Sequence, residues 1–488
     1  MVSVVVIGAG PAGLTAAYEL LENKVTSTIL EADPEKVGGI SRTAEYRGYR
    51  FDIGGHRFFS KNKDIENLWS EWLEDEMISV PRMSRILYNG KFFDYPLKAM
   101  NAFLNLGPVE TVRCVLSYLW SQLAPRKSER SFEDWVVNRF GHRLFSIFFK
   151  TYTEKVWGMP CHEISADWAA QRIKNLNLWK AAINALGLGR RDQSIKTLID
   201  EFRYPRLGPG MMWERLSENL LQGGCTLRMG HPVTHISREQ GRAIAVEANG
   251  ARFEADHFIS TMPLRNLIEG LEPAAPAHIL DAARGLKYRD YLTVVLVLAV
   301  DELFPDNWIY IHDPSVKVGR IQNYKNWSRA MVPEDGYTCL GLEYFCDVGD
   351  DLWELSESEL IELGLREIVQ LGLAVPDQMR DGTVVRMPKA YPVYDDEYQQ
   401  RVDLLREFLE TEVPNVHPVG RNGMHRYNNQ DHAMLTGILA ARNILGQGPF
   451  DPWLVNADAE YLEEDDSPKD SRLVPRRLTD SDSVSPPG

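Results

Sequence analysis

The sequence has no long uninterrupted hydrophobic run, no closely paired cysteines and no excess of positive charge. A membrane-spanning helix needs about twenty consecutive apolar residues. The opening MVSVVVIGAG passes into glycines too soon to be such a helix or a secretory signal. The five cysteines, Cys114, Cys161, Cys225, Cys339 and Cys346, are odd in number, widely scattered and without a CxxC pair. They read as thiols of a reducing compartment rather than a disulfide framework or a metal centre, so a cytoplasmic location is expected. With 54 Lys plus Arg against 69 Asp plus Glu, the formal charge is -15, which argues against nucleic acid or an anionic membrane as the main partner. An anionic substrate would then need a local cluster of arginines. Internal repeats are absent, and a chain of 488 residues is expected to divide into two or more interleaved domains.

The N-terminal end carries the strongest pattern. Val4 to Ile7 is a continuous β-branched run, as a strand buried on both faces of a parallel sheet requires. Gly8-Ala9-Gly10-Pro11-Ala12-Gly13 follows at once. In such a turn the first glycine makes the bend, the second lets backbone approach a pyrophosphate, and the third lets helix pack on strand. Leu14, Ala17, Tyr18 and Leu21 then repeat at helical spacing, and Val25 to Leu30 reads as a second strand ending in Glu31. Glu31 stands 23 residues after Gly8, the distance at which a carboxylate reaches an adenosine ribose while the helix N-terminus faces phosphate. The ordered strand, glycines, helix, strand and acid make this a dinucleotide site rather than a chance glycine turn.

Two more glycine-rich turns follow, Gly38-Gly39-Ile40-Ser41-Arg42-Thr43 and Phe51-Asp52-Ile53-Gly54-Gly55-His56. Here the sequence resembles the amine-oxidase-like flavoproteins, in which a glycine pair approaches the flavin of FAD. Taken without that resemblance, they are also compatible with ordinary surface turns. Farther on, Thr226 to Ile236, Ala243 to Ala248 and Phe253 to Ile259 alternate like a small antiparallel sheet, and Ser260-Thr261-Met262-Pro263 ends the last run in a turn. Gly420-Arg421-Asn422-Gly423 precedes a helix from Ala433 to about Leu445, whose start at Asn429, Gln430 and Asp431 is either a simple cap or a helix end facing the cofactor. Two apolar segments, Ala99 to Leu123 and Leu176 to Leu186, suit either buried helices, the expected state, or a lid or peripheral membrane foot. Glu463 to Gly488, rich in Asp, Ser and Pro, reads as a disordered tail.

The islands GGHRFFSK at 54–61, SFEDWVV at 131–137, KVWGMP at 155–160, FRYP at 202–205, STMP at 260–263 and NQDH at 429–432 narrow the resemblance. In that order they resemble the eukaryotic branch of the UDP-galactopyranose mutases, over nearly the whole span from Val4 to Leu445. The resemblance implies an FAD-dependent NDP-sugar pyranose/furanose mutase that uses reduced flavin N5 as nucleophile without net redox change, NAD(P)H being one possible reductant. It implies Arg172 and Arg320 as diphosphate clamps and His56 beside flavin N5, together the catalytic set. Tyr310, ten residues before Arg320, with Tyr391 and Tyr427, matches tyrosines that contact diphosphate, and Arg82 and Tyr95 match positions lining the pocket. Cofactor contacts are expected from Gly8, Gly10, Pro11, Ala12, Gly13, Glu31, Gly38, Gly39, Ser41, Gly55, His56, Val233, Gly420, Arg421, Asn429 and Gln430. Thr153 stands where the family has asparagine, and the interval from Tyr427 to Asn429 is short for the family, which leaves the sugar open. The competing reading is an FAD-dependent oxidoreductase of the amine oxidase or protoporphyrinogen oxidase type, which would want an apolar cavity with few cations. The oligomeric state is left open.

The expected fold class is α/β: a discontinuous Rossmann-like FAD-binding domain (1–80, 205–270 and 415–450), a mostly helical domain (97–200), and an antiparallel β-sheet substrate domain (81–96 and 271–414). A C-terminal extension, 451–488, completes the chain.

Overall fold

The computed structural model describes residues 2–166 and 201–455. Arg172, Leu176 to Leu186 and the extension beyond 455 lie outside the described residues.

A parallel sheet of five strands runs in the order Val416–Pro418, His257–Ser260, Val4–Ile7, Thr28–Leu30, Thr226–Arg228. Val4–Ile7 sits at its centre and is buried along its whole length, which accounts for its unbroken apolar run. One neighbour follows closely in the chain and the other comes from its middle: Val5 pairs with Thr28 on one side and Phe258 on the other. The helix Pro11–Glu22 leaves the central strand and packs against the helix Gln430–Ile444. Gly437 permits this approach, because a Cβ there would stand 2.2 Å from the carbonyl oxygen of Ala12.

The small antiparallel sheet expected from 226 to 259 needs correction at both ends. Only Val233–Glu239, Arg242–Ala248 and Ala251–Glu254 pair antiparallel, with Leu271–Glu272 added at the edge. Thr226–Arg228 and His257–Ser260 instead join the parallel sheet. The physical reason lies in burial: Phe258 and Ile259 are covered on both faces, as a central parallel strand demands, whereas an edge meander exposes alternate residues.

The second large sheet has seven strands, in the order Met379–Pro392, Tyr288–Leu298, Thr338–Cys346, Arg320–Asn323, Trp308–Ile311, Ser84–Tyr88, Lys91–Asp94. Alternation along each strand divides it into two faces. Leu292, Val294, Leu296, Ile309, Ile321 and Leu342 point to one side, where they pack with Leu360, Leu363 and Ile368 of the helix Glu357–Gln370. The other face carries Tyr291, Tyr310, Arg320, Gln322 and Glu343, and it is this face that meets the segment around His56.

Between the sheets in sequence lie the helices Ala99–Leu106, Pro108–Leu123, Phe132–Phe140 and Thr151–Trp157. The first two are one apolar segment broken at Gly107, whose φ of 81° ends the first helix and starts the second. Buried helices are the expectation, and only one side of the pair meets it: Cys114 and Ser121 are buried, whereas Leu104, Trp120 and Leu123 are among the most exposed apolar residues of the described chain. Helical periodicity sets which residues share a face but not whether that face turns inward.

Candidate active site

The nucleotide end is built almost entirely from backbone. Gly8 donates its N–H to Leu30 O at 2.7 Å, tying the turn to the neighbouring strand, and its φ of 96° brings it so near Thr261 that a Cβ would collide with that hydroxyl. Gly10 is the N-cap of Pro11–Glu22, with Pro11 in the first turn and no side chain capping the helix. Nothing lies within 4 Å of where a Cβ on Gly10 would be, and a Cβ on Gly39 would meet only Gly10 Cα at 3.6 Å. Gly38 donates to Ala9 O at 2.8 Å, so the second glycine turn is held against the first. Gly13 approaches the carbonyl of Gly8, and Ala12 lies under Gly437. An uncapped helix N-terminus facing open space beside two glycines suits a pyrophosphate, which brings the negative charge and acceptor oxygens such an end favours.

Glu31 closes the second strand. Its carboxylate accepts N–H bonds from Ala9 at 2.6 Å and Asp33 at 2.8 Å, and burial nonetheless pushes its pKa up. His231 donates its N–H to Glu31 O, which leads the chain to Val233 at the start of its strand. Ser41 is buried in the turn Gly39–Ser41. At the far helix, Asn429 and His432 form a reciprocal cap, so Asn429 serves the ordinary helix start, while Gln430 Oε1 is buried without a partner among protein atoms. Gly420 donates to Thr436 Oγ1 at 3.0 Å.

His56 occupies the junction between this cradle and the seven-stranded sheet. The residue is half-buried, and its Nδ1, enclosed within the protein, has no partner among protein atoms. Burial, reinforced by the neighbouring charges of Arg421 and Arg320, lowers its pKa to about 3, so the ring is neutral through the physiological range. Gly55 beside it faces Gln322 and Trp327. The orphaned imidazole nitrogen, the open space over Gly10 and the uncapped helix together fit a flavin dinucleotide running from the glycine turn towards His56.

The sheet contributes the charge. Tyr310 and Arg320 are direct cross-strand partners, as are Arg320 and Glu343, so the three form one row over three adjacent strands. The separation of ten residues between Tyr310 and Arg320 is thus the reach of a hairpin. Glu343 is wholly buried; it accepts from Arg320 Nε at 2.5 Å and ion-pairs with Arg320 Nη2, while its other oxygen accepts from Gln322 Nε2 at 2.5 Å. The hairpin loop is pinned from outside: Lys155 Nζ donates to the carbonyls of Ile311, Asp313 and Val318, and Glu367 accepts the N–H groups of Lys317 and Val318.

Aromatic rings complete the row. Tyr310 lies 4.8 Å from the exposed ring of Tyr95 and edge-on to Tyr152 at 5.4 Å, and Tyr152 stacks on His312 at 5.1 Å. Arg82 lies 5.9 Å from the Tyr95 ring and 5.7 Å from that of Trp308, with its Nε buried and unpartnered. On the opposite side Tyr391 and Tyr427 stack at 5.7 Å, and Arg421 covers both rings while donating to Asn428 O and Ala390 O. Arg421, expected among the cofactor contacts, therefore belongs equally to this cationic cluster. Burial, with Tyr427 and Glu343 adding to it, raises the Tyr391 hydroxyl far above its usual pKa despite Arg320 and Arg421, so it stays protonated as a donor.

The structure brings together His56, Arg320, Tyr310, Tyr391, Tyr427 and Arg421, and sets Arg82 and Tyr95 at the outer end beyond Tyr310. Arg172 lies outside the described residues. Sequence reading missed Glu343, Gln322 and Tyr152. The one available signal was an acid inside the apolar run Thr338–Cys346, since a buried carboxylate requires a cation or several donors nearby.

The family model for flavin-containing amine oxidoreductases matches residues 11–445. A crystal structure of reduced UDP-galactopyranose mutase superposes with a TM-score of 0.82 at 24% identity, covering 94% of this chain and 98% of that one, and establishes a common fold. Among curated proteins, a probable UDP-galactopyranose mutase of Klebsiella pneumoniae is 27% identical over 34% of this chain. Flavin-containing amine oxidase A of Equus caballus is also 27% identical, over 54% of this chain. The matched stretches span 43% and 50% of those two relatives' own lengths. The chain therefore belongs to the family of flavin-containing amine oxidoreductases and is a flavin-dependent enzyme of mixed α/β fold.

Proposed function

We propose that the protein is an FAD-dependent NDP-sugar pyranose/furanose mutase. The observation that carries this reading is the row Tyr310–Arg320–Glu343 beside His56, anchored on the buried Glu343, with Arg421 and Arg82 on either side. A nucleotide diphosphate needs fixed cations at its leaving oxygens, whereas an apolar amine gains nothing from them. The mutase neighbour supports the same choice, at the level of fold.

Reduced FAD, when bound, supplies a nucleophilic ring nitrogen for the sugar's anomeric carbon. The remaining work falls to the chain. Backbone N–H groups of Gly10, Ala12 and Gly13 hold the cofactor pyrophosphate, and Glu31, with one lone pair of each oxygen used by backbone, accepts from the adenosine ribose. Glu343 takes Nε and Nη2 of Arg320, which leaves Nη1 for a phosphate oxygen of the leaving diphosphate. Arg172 is the proposed second clamp. Tyr310, Tyr391 and Tyr427 donate hydroxyls to the same phosphates, and neutral His56 offers a hydrogen bond without adding charge beside the flavin. NAD(P)H is the proposed reductant.

Purified flavin-loaded protein incubated with UDP-galactose or UDP-galactofuranose, with and without dithionite, tests the reading. Interconversion that requires the reductant is expected. Hydrogen peroxide formed from an amine or porphyrinogen, with no sugar conversion, would replace the mutase by the oxidase alternative.

A further inference from the structure

The apolar face left open by the two helices Ala99–Leu106 and Pro108–Leu123 has no part in the chemistry above. Of fourteen exposed large hydrophobic residues in the described chain, eight fall between 100 and 123; the rest are scattered, as single exposed hydrophobics normally are. On the longer helix Val109, Val112, Leu116, Trp120 and Leu123 recur at three- and four-residue intervals, so they form one stripe, which Leu104 extends on the shorter helix. Leu104 is 75% exposed, Trp120 70% and Leu123 82%.

The stripe is firmly held from behind. Cys114 and Ser121 are buried on the opposite side, Ser117 Oγ accepts the N–H of Arg143, and a Cβ on Gly141 would collide with the backbone of Tyr118. A helix so anchored keeps its outer face in place.

The charge around the stripe opposes that of the whole chain. From 91 to 150 there are nine basic and five acidic residues, four net positive charges in a protein of formal charge -15. Lys98, ion-paired with Asp94, precedes the stripe, and Arg126, ion-paired with Glu133 and Asp134, follows it with Lys127 and Arg130, all four exposed. A second copy paired across a two-fold axis would set these basic ends against one another, which disfavours it. A surface bearing negative headgroups over an apolar layer complements both features. Charges act over about 8 Å at physiological ionic strength, so this local patch, not the distant acidic residues, decides the encounter.

We infer that this helix pair docks in the plane of a bilayer interface containing anionic lipid, with Leu116, Trp120 and Leu123 seated among the acyl chains and the flanking basic residues on the headgroups. Trp is the residue type that favours the boundary between headgroups and acyl chains. No helix of the described residues is long and apolar enough to cross a membrane, and the longer of the two has 16 residues and follows the break at Gly107, so the geometry is that of a helix lying on the surface. The inference is independent of the proposed sugar chemistry.

Sedimentation of the flavin-loaded protein with phosphatidylcholine vesicles, with and without phosphatidylglycerol, reads it out. The wild type should sediment with the mixed vesicles and be released by salt. Leu116→Ser combined with Trp120→Ser should weaken binding at least about tenfold, since transfer of apolar side chains drives insertion, with flavin content and unfolding unchanged. Wild type left in the supernatant, or a variant that binds equally well, overturns the inference. So does light scattering that shows a wild-type oligomer which the double variant dissociates, because the stripe would then cover a second copy.

Discussion

The two large sheets make their parts of the site in opposite ways. In the parallel sheet, the strand Val4–Ile7 delivers a turn whose working groups are backbone N–H donors and the absence of side chains at Gly8 and Gly10. In the seven-stranded sheet, the working groups are long charged and aromatic side chains that meet only because Tyr310, Arg320 and Glu343 fall in register on three strands. A backbone site tolerates little added volume but much change of side chain around it. A side-chain site depends on each partner, because a buried cation that loses its carboxylate has no water to replace it.

The sharpest break in that comparison comes from Glu343→Leu. Removing the carboxylate leaves the largely buried Arg320 unpaired, and should cost up to about 3–5 kcal/mol in denaturant unfolding of the flavin-loaded protein. A loss below about 1 kcal/mol, typical of an exposed pair, would mean that Arg320 reaches solvent without it.

Arg320→Ala should lower kcat for sugar-nucleotide conversion by about 10²–10³, the range for losing one charge-stabilising donor, while flavin stays bound. Steady-state kinetics with flavin absorbance on the same sample separates the two sheets: turnover should fail and the cofactor remain.

Gly437→Ala addresses the parallel side. Its Cβ must push away the carbonyl of Ala12, so the helix Pro11–Glu22 shifts, at a cost of about 1–3 kcal/mol for overpacking. Flavin retention on gel filtration should fall with stability, the reverse of the Arg320 pattern.

The effect hardest to isolate, because other groups titrate in the same range, is a dependence on pH. His56 has its pKa lowered to about 3 in the fold, mainly by burial, against about 6.5 when unfolded. The neutral ring's contribution is therefore present above about pH 6.5 and is lost as pH falls towards 3, since the unfolded chain takes up a proton that the folded one refuses. His56→Gln should flatten the decline of Tm between pH 7 and pH 4. An identical slope in both proteins would show that another group governs it.

How much was legible beforehand follows the same division. The glycine turn, its helix and Glu31 were readable because local spacing alone fixes them. Tyr310 and Arg320 were named only through the family resemblance; the hairpin that pairs them, and Glu343 lying 23 residues farther on, are revealed only by strand register. Alternation at 226–259 showed that strands lie there, but it ran two of them together at each end and did not tell which sheet each would join. Periodicity likewise placed an apolar stripe on 99–123 and was silent on its direction, which depends on the fit of Gly141 and Ser117 behind it.

The central claim is that a flavin and Arg320 share one site. Titrating UDP into flavin-loaded protein while recording the flavin absorbance measures that directly. A saturable spectral change in the wild type that disappears in Arg320→Ala is the predicted result; a colourless preparation that refuses FAD, or a spectral change untouched by the substitution, would contradict it.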